Sequence, residues 1–322
     1  MIFTVVIATC NRPDRLSSAL LATIEAIRAM DDEQAVIVVV DNGPEVSAKS
    51  AVDDCIETVG FPITYVQSES YNKAAALNAG IAVVSTPWVA FTDDDCLPDR
   101  EWLLNACRYI ERFDVGVFSG RLEASQVDFA LPRWLDNEIL DWSPAFVDFA
   151  PYPESGLLDT DERVPFGANI FVKKDVFEKF GGYDEELWHR CGSAALGSED
   201  AEFAIRVRAH ETIGYCAEAL VMHPVSPERT TIRYYLNHIF QSGVREPLFC
   251  VANEQASTPY LVKTMSIAFG HACFAYLRRE YPQAMRYLMD AARDVGEVWG
   301  KLRVLRSERG IHCDRGDGGE SR

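Results

Sequence analysis

Hydrophobic positions in the first third of the chain keep two alternating rhythms. "IFTVVIAT" near the start, "AVIVVVDN" from Ala35, "ITYVQ" from Ile63 and "WVAFTDDD" from Trp88 are short apolar runs rich in β-branched or aromatic residues. Between them lie "RLSSALLATIEAIRAM", "SAKSAVDDCIETV" and "NKAAALNAGIAVV", with "EWLLNACRYIERF" following, and these have helical spacing. Apolar strands separated by amphipathic helices predict an α/β fold with a mostly parallel sheet covered on both faces. The ligand site of such a sheet lies at the carboxyl ends of its strands. Polar residues gather at those ends: Thr9-Cys10-Asn11-Arg12, Asp41-Asn42 and Asp93-Asp94-Asp95.

From about residue 120 the alternation stops. "LPRWLDNEILDWSPAFVDFAPYPESG" is aromatic and proline-rich without a clean period; Trp134, Trp142, Phe146, Phe149 and Tyr152 either stack on a sugar or lipid or fill a core, and the core reading is preferred. "VPFGANIFVKK" predicts a strand, "DVFEKFGGYDEEL" a helix closed by Gly181-Gly182, and "GSEDAEFAIRVRAHE" another helix. Beyond Arg229 the chain reads as helical, with Met285, Leu288, Ala292, Val295, Trp299 and Leu302 forming one apolar stripe. Gly296 and Gly300 each weaken that helix by roughly 1 kcal/mol relative to Ala. "LVKTMSIAFGHACFAYL" from Leu261 is interrupted by Lys263 and His271 and reads as a buried helix, not a bilayer span. The tail "GIHCDRGDGGESR", residues 310–322, is expected to be disordered.

Composition narrows the function. A chain of 322 residues, 48% hydrophobic, has material for one large domain or a domain with an appendage. The net charge of −18 speaks against a nucleic-acid partner. The acidity is uneven, because residues 278–309 carry eight Arg or Lys against five acids. Nine cysteines without a CxxC pair point to reduced thiols and a cytoplasmic setting, with no zinc site or disulfide framework. The opening "MIFTVVIATCNRP" has no basic n-region, so no signal peptide is expected. GxGxxG and GxxxxGK[ST] are both absent, which argues against nicotinamide and P-loop chemistry.

Three constellations carry candidate chemistry. In an extended "FTDDDCLP", Asp93 and Asp95 point the same way and can share one hard divalent ion, Mg²⁺ or Mn²⁺, while Asp94 turns aside. The plainer alternative is a solvated acidic turn. In "GSEDAEF", Ser198 is a candidate N-cap, and Glu199 and Asp200 either complement the helix dipole or supply a general base. The helix N-terminus would lower the pKa of Asp200, so burial or neighbouring acids would have to restore its basicity. His223 in "VMHPVSPER" is a structural residue, a third metal ligand or a diphosphate contact, the last being better suited to Arg229.

Seven segments in order, "VVIATCNRPDRL", "VVVDNG", "NKAAALNAGI", "VAFTDDDCLP", "FGANIFVKKDVFEKFGGYDEEL", "GSEDAEFAIRV" and "HPVSPER", resemble the family 2 glycosyltransferases of the GT-A fold over roughly residues 2–245. The resemblance implies a Rossmann-like sheet with a C-terminal helical extension. It divides the chain into a catalytic domain at 1–228 (nucleotide-sugar half 1–112, acceptor half 113–228), helices at 229–309, and the tail. It also implies inverting, metal-dependent transfer of a sugar from a nucleotide-sugar donor to an acceptor hydroxyl. The products would belong to cell-surface polysaccharide or glycolipid, with a saccharide or lipid-linked saccharide as acceptor.

Carried over by motif, Thr9, Asn11 and Arg12 line the nucleotide pocket and Asp41 contacts the base. Asp93 and Asp94 face the donor, and Asp93, Asp95 and His223 form the metal set, with Asp95 as main ligand. Asp200 is the base, and Glu199 orients acceptor or sugar. Where many members have Ala-Arg-Asn-x-Gly this chain has "ALNAG", so Leu77 replaces the arginine, Asn78 is retained in the donor site, and Lys73 is the candidate diphosphate partner. A QxxRW motif is absent, which favours single additions. The C-terminal helices would rest on the inner face of the membrane, pair two copies of the chain, or pack on the catalytic domain.

Rival readings fare worse. A nucleotidyltransferase lacks its glycine-rich opening, and a haloacid-dehalogenase-type phosphatase would want Thr or Val where Leu97 stands. A non-catalytic scaffold or sugar-binding protein could tolerate loss of Asp95 or Asp200, yet both are present.

Overall fold

The structure, a computed structural model, describes all residues except 31–33, 45–46, 126–128, 136–145, 159–164, 188–197, 250–257 and 314–322, and the side chains of 245–249, 258 and 303–313. The chain divides into two compact units: Met1–Val127, Phe146–Glu185 and Gly197–Val225 form the first, and Asp128–Ala145, Glu186–Leu196 and Ser226–Arg322 the second.

In the first unit, β1 (Phe3–Thr9), β2 (Ala35–Asp41), β3 (Ile63–Gln67) and β4 (Trp88–Asp93) pair in parallel in the order β3-β2-β1-β4. β1 is buried at every position because helices cover both faces. Its side chains alternate with the two-residue period of a strand. Val5 and Ile7 join one core cluster with Leu16, Leu20 and Ile24 of α1 (Pro13–Arg28) and Val52 of α2 (Lys49–Val59). Val6 and Ala8 join another with Ala74 and Leu77 of α3 (Lys73–Ala82). The register Thr9↔Asp41 and Ala8↔Asp93 brings three polar strand ends into line.

β5 (Leu97–Pro98), α4 (Trp102–Arg112), β6 (Val117–Ala124), β7 (Gly156–Leu157), β8 (Ile170–Lys173), α5 (Lys174–Phe180), α6 (Glu199–Arg208) and β9 (Ile213–His223) complete the unit. The sheet continues from β4 through antiparallel β8 to β6, then to β9 parallel with β6, and ends on β5. "VPFGANIFVKK" is thus a short 3₁₀ turn, Gly167–Asn169, followed by a four-residue strand. Gly181, at φ 81, closes α5 as expected of a glycine there.

Between β6 and β9 the register slips at Gly120/Arg121. Buried Asn169 fills that bulge: its Nδ2 donates to the carbonyls of Arg121 (2.7 Å) and Ala219 (2.8 Å), and its Oδ1 accepts from Trp102 Nε1 (2.8 Å). Of the aromatic segment, Phe149 is buried and bridges Leu122, Tyr152 lies 6.3 Å from the Tyr215 ring, and Trp142 lies outside the described residues.

The second unit contains α7 (Ile232–Phe249), α8 (Thr258–Leu277) and α9 (Tyr281–Cys313), with α9 packed against the other two. Trp134 packs edge-on against Tyr235 at 4.8 Å. The apolar stripe expected on α9 is out of phase with the face that is buried. Met285 and Met289 are buried, but Val295, Trp299 and Leu302 are 41–46% exposed. The reason is a backbone approach: a Cβ on Gly296 would stand 2.1 Å from the Phe240 carbonyl oxygen, and one on Gly243 2.1 Å from that of Arg293. The glycine face therefore turns toward α7, carrying Val295 and Trp299 outward.

α8 also differs from the expected buried helix. Leu261, Ala268, Ala272 and Ala275 are buried, while Ile267, Phe269, Phe274, Tyr276 and Leu277 are exposed. No helix among the described residues is long and apolar enough to cross a membrane. α9 runs on to Cys313, past the expected limit of 309, and the rest of the tail lies outside the described residues.

Candidate active site

Three adjacent aspartates are tolerated at the end of β4 because each finds a cation, Arg12 serving both Asp94 and Asp95. The strand stops at Asp93 and the chain turns, the Cys96 N–H donating back to the Asp93 carbonyl at 3.1 Å. The turn cancels the alternation expected of an extended chain. Asp93 therefore points to Lys73 Nζ (3.0 Å). Asp94 faces inward, fully buried, accepting from Thr9 Oγ1 at 2.8 Å and pairing with Arg12 at 2.9 Å. Asp95 meets Arg12 (3.2 Å) and Arg15 (3.3 Å). Burial pushes the Asp94 carboxyl up to about 6 against the pull of Arg12 and Thr9. Burial acts the same way on Asp93, but Lys73, helped by His223 and Arg12, holds it below the usual carboxylate range.

Lys73 opens α3, and Asn72 caps the helix by accepting the Ala74 N–H at 2.9 Å. Its ammonium touches Asp93 and, at 3.3 Å, Glu199. Burial would lower its pKa, yet Asp93, Glu199 and Asp200 hold it well above the ordinary lysine value. Leu77, one turn along, is buried in the core. Lys73 is thus the cation that α3 brings to these acids.

At the start of α6, Ser198 occupies the cap position without a side-chain cap bond; Glu199, buried, instead accepts the Ser198 N–H at 3.0 Å. Half-buried Asp200 accepts N–H groups from Gly167 (2.6 Å) and Ala201 (2.7 Å). Burial and the neighbouring Glu199 push Asp200 up to about 6, outweighing Lys73 and the two N–H donors. The lowering expected at a helix start is thus offset. Gly167 permits the approach, since its Cβ would lie 3.2 Å from that of Asp200.

Other motif residues serve as framework. Asp41 is fully buried, and its carboxylate accepts from Gly43 N–H (2.9 Å), Ala48 N–H (2.7 Å) and Tyr65 O–H (2.7 Å). These three donors take up most of the roughly four acceptor positions of the carboxylate and tie it to the fold. Asn11 adopts a left-handed φ of 55 against Gly43, where any Cβ would come within 2.6 Å of Asn11 Oδ1. Asn78 ties α3 to the loop after α5: its Oδ1 accepts the Tyr183 N–H (2.8 Å), and its Nδ2 donates to the Tyr183 carbonyl (2.9 Å) and Glu185 Oε1 (2.8 Å).

One group among the described residues has the chemistry to ligate a metal: atoms of Asp95, Cys96 and His223 lie within 4.8 Å of one another. Cys96 and His223 are buried, and the Asp95 side chain is 9% exposed. Of the expected set, Asp95 and His223 come together and Asp93 does not join them, being drawn to Lys73. A carboxylate, an imidazole and a thiol together fit a divalent transition ion. Arg229 belongs to the second unit, and the loop "WHRCGSAALG" lies outside the described residues. Sequence reasoning passes over Arg15 and Cys96. The three-residue step from Arg12 to Arg15 signals the first; the second needs the pairing of β5 with β9.

A model of glycosyl transferase family 2 matches residues 4–181, more than half of the chain. The chain belongs to that family. It is a transferase of the EC 2.4 class, built on the GT-A fold. The succinoglycan biosynthesis protein ExoM of Rhizobium meliloti (strain 1021) is 24% identical over 238 residues, 74% of this chain and 71% of the relative. A glucosyl-dolichyl phosphate glucuronosyltransferase of Haloferax volcanii is 23% identical over 239 residues, 73% and 74% of the two chains. Among solved structures, S. aureus TarS 1-349 in complex with UDP has a TM-score of 0.51 at 15% identity, covering 94% of this chain and 92% of that one. The mannosyltransferase PcManGT of Pyrobaculum calidifontis, in complex with GDP-Man and Mn²⁺, has a TM-score of 0.56 at 19% identity, covering 93% and 87%. The family match includes Lys73 and the three aspartates and ends before Glu199, Asp200 and His223.

Proposed function

We propose that this glycosyltransferase moves a sugar, with inversion, from a nucleotide-sugar to an acceptor hydroxyl, with Asp200 as general base. The observation that carries this is the placement of Asp200: it follows Glu199 at the start of α6 and accepts the Gly167 N–H at 2.6 Å, with Lys73 joining Glu199 to the strand end, and burial with the neighbouring Glu199 raises its carboxyl toward the range of a working base. Lys73 lies between the base pair and the strand end, contacting Glu199 on one side and Asp93 on the other. That arrangement supports a reaction centre with the base facing the departing diphosphate across the sugar, as inversion requires. Arg12, 43% exposed at its side chain, and Lys73 are the cations available to the diphosphate. Thr9 and Asn11 would shape the nucleotide side of the pocket, and Glu199 would orient the acceptor or sugar.

Asp95 and His223 would hold Mg²⁺ or Mn²⁺. When bound, such an ion neutralises the leaving diphosphate as a Lewis acid. The names of the relatives, with their succinoglycan and dolichyl phosphate, support a saccharide or lipid-linked saccharide acceptor in cell-surface polysaccharide or glycolipid synthesis. A lipid-borne acceptor agrees with the second unit. α8 exposes Phe269, Phe274, Tyr276 and Leu277 immediately before Arg278 and Arg279, a pairing of apolar and basic groups suited to an anionic lipid surface. We accordingly read this enzyme as a peripheral one on the inner face of the membrane.

The test is metal-dependent release of nucleoside diphosphate from a panel of sugar nucleotides. Release by the wild-type chain and its collapse in Asp200→Asn support the reading. Absence of release from every donor, with or without acceptor, would instead favour a non-catalytic scaffold.

A further inference from the structure

We propose that Cys96 is a metal ligand, its thiolate joining Asp95 and His223 to make a site selective for thiophilic divalent ions. The inference rests on the reading that Asp95 and His223 hold an ion, and deepens it. β5 pairs antiparallel with β9 through Leu97↔Met222 and Pro98↔Val221. Continuing that register by one residue sets Cys96 opposite His223, while Asp95 precedes Cys96 in the turn. All three ligating atoms fall within 4.8 Å of one another. Ligands around a tetrahedral zinc-sized ion lie about 3.6 Å apart, from metal–ligand lengths of about 2.3 Å for sulfur and about 2.1 Å for nitrogen, so the three groups would draw together slightly to close on it.

Burial and the nearby Asp93 and Asp95 disfavour a free thiolate at Cys96, so the metal itself would have to stabilise it. Cys96 is fully buried and His223 is 3% exposed. Cys96 follows the acidic strand end in sequence and belongs to the apolar cluster that contains Trp102 and Leu103. Asp95 is already anchored by Arg12 and Arg15, which limits its freedom to swing away. A donor set of only oxygens suits Mg²⁺; adding imidazole and thiolate shifts preference to Co²⁺, Zn²⁺ and, more weakly, Mn²⁺. Binding would expel the thiol proton to solvent as the sulfur–metal bond forms.

The probe is Co²⁺ alone, titrated into the reduced full chain and followed by visible d–d absorption, near-ultraviolet thiolate-to-cobalt charge transfer and thermal stability. The expected result is a charge-transfer band that an excess of Mg²⁺ does not abolish, lost in Cys96→Ser and kept in Cys107→Ser. Cobalt affinity in Cys96→Ser should fall by at least the roughly 10–100-fold that loss of an outer-shell partner costs. If Cys96→Ser does not fold, His223→Asn is the second variant: loss of the band supports the site and persistence overturns it. Cobalt binding without a charge-transfer band, or with one that survives in Cys96→Ser, overturns the thiolate ligand and leaves the Asp95–His223 reading standing. No cobalt absorption and no stabilisation overturns both.

Discussion

Asp200 and Lys73 show how one ammonium can manage several carboxylates. With Asp200 pushed up to about 6, transfer should have an acidic limb: the base is ionised above that pH and is lost as pH falls through it. Glu199→Gln removes the charge that helps raise Asp200 and frees Lys73 to lower it further, so the limb should move to lower pH in a rate profile of that variant. Lys73→Met leaves Asp93 and Glu199 without their shared cation. Lys73, raised above its ordinary value, contributes stability that is fully present below the lysine range and lost only at higher pH. At pH 7 the variant should lose about 1–3 kcal/mol, less than a fully buried pair because the Lys73 and Asp93 side chains still meet solvent. Thermal melting at several pH values should show the deficit shrinking in acid, as pH falls through the lowered range of Asp93 and its pairing with Lys73 is lost in the wild type too. Asp200 and Lys73 are legible in the sequence because each carries its chemistry in its residue type and position on an element. The fan of Asp93, Asp94 and Asp95 is not, since one backbone bond to Asp93 turns the chain and local pattern cannot say where a strand ends.

Among the elements, the parallel strands and their covering helices are readable because burial on both faces forces unbroken apolar runs. The short antiparallel strands are harder. β8 has four residues, and its approach is governed by Asn169 filling a bulge between two other strands. The phase of α9 is hidden for a related reason: its side chains form an apolar stripe, but a helix–helix approach through backbone decides which face is buried. Gly296→Ala tests this. In an exposed helix Ala would gain about 1 kcal/mol over Gly. Here the added Cβ would meet the Phe240 carbonyl, so we expect a net loss of about 1–3 kcal/mol, seen as faster hydrogen exchange in α7 and α9. An unchanged or raised melting temperature would mean that the helices can separate without cost.

For the whole molecule, charge and apolar exposure are distributed unevenly. The chain carries −18 overall, while residues 278–309 are net basic and the preceding helix exposes large aromatic side chains. Vesicles containing anionic lipid should co-sediment the protein, neutral vesicles much less so, and salt should weaken the binding. Phe269→Ser with Phe274→Ser should reduce co-sedimentation while leaving nucleoside diphosphate release with a soluble acceptor intact. Equal binding to both vesicle types, or a dimer in gel filtration that the same substitutions disrupt, would assign that face to another role. Composition makes the basic segment visible, but which side chains of α8 face outward emerges only from the packing of its alanines.

The central claim is that Asp200 takes the acceptor proton, and the most direct measurement compares transfer by the wild-type chain and Asp200→Asn with the same donor, acceptor and metal. Transfer should fall by about 10²–10⁴-fold, while the donor- and metal-linked rise in melting temperature persists. Near-normal turnover in Asp200→Asn, with the protein folded and donor bound, would contradict the account and place the base elsewhere.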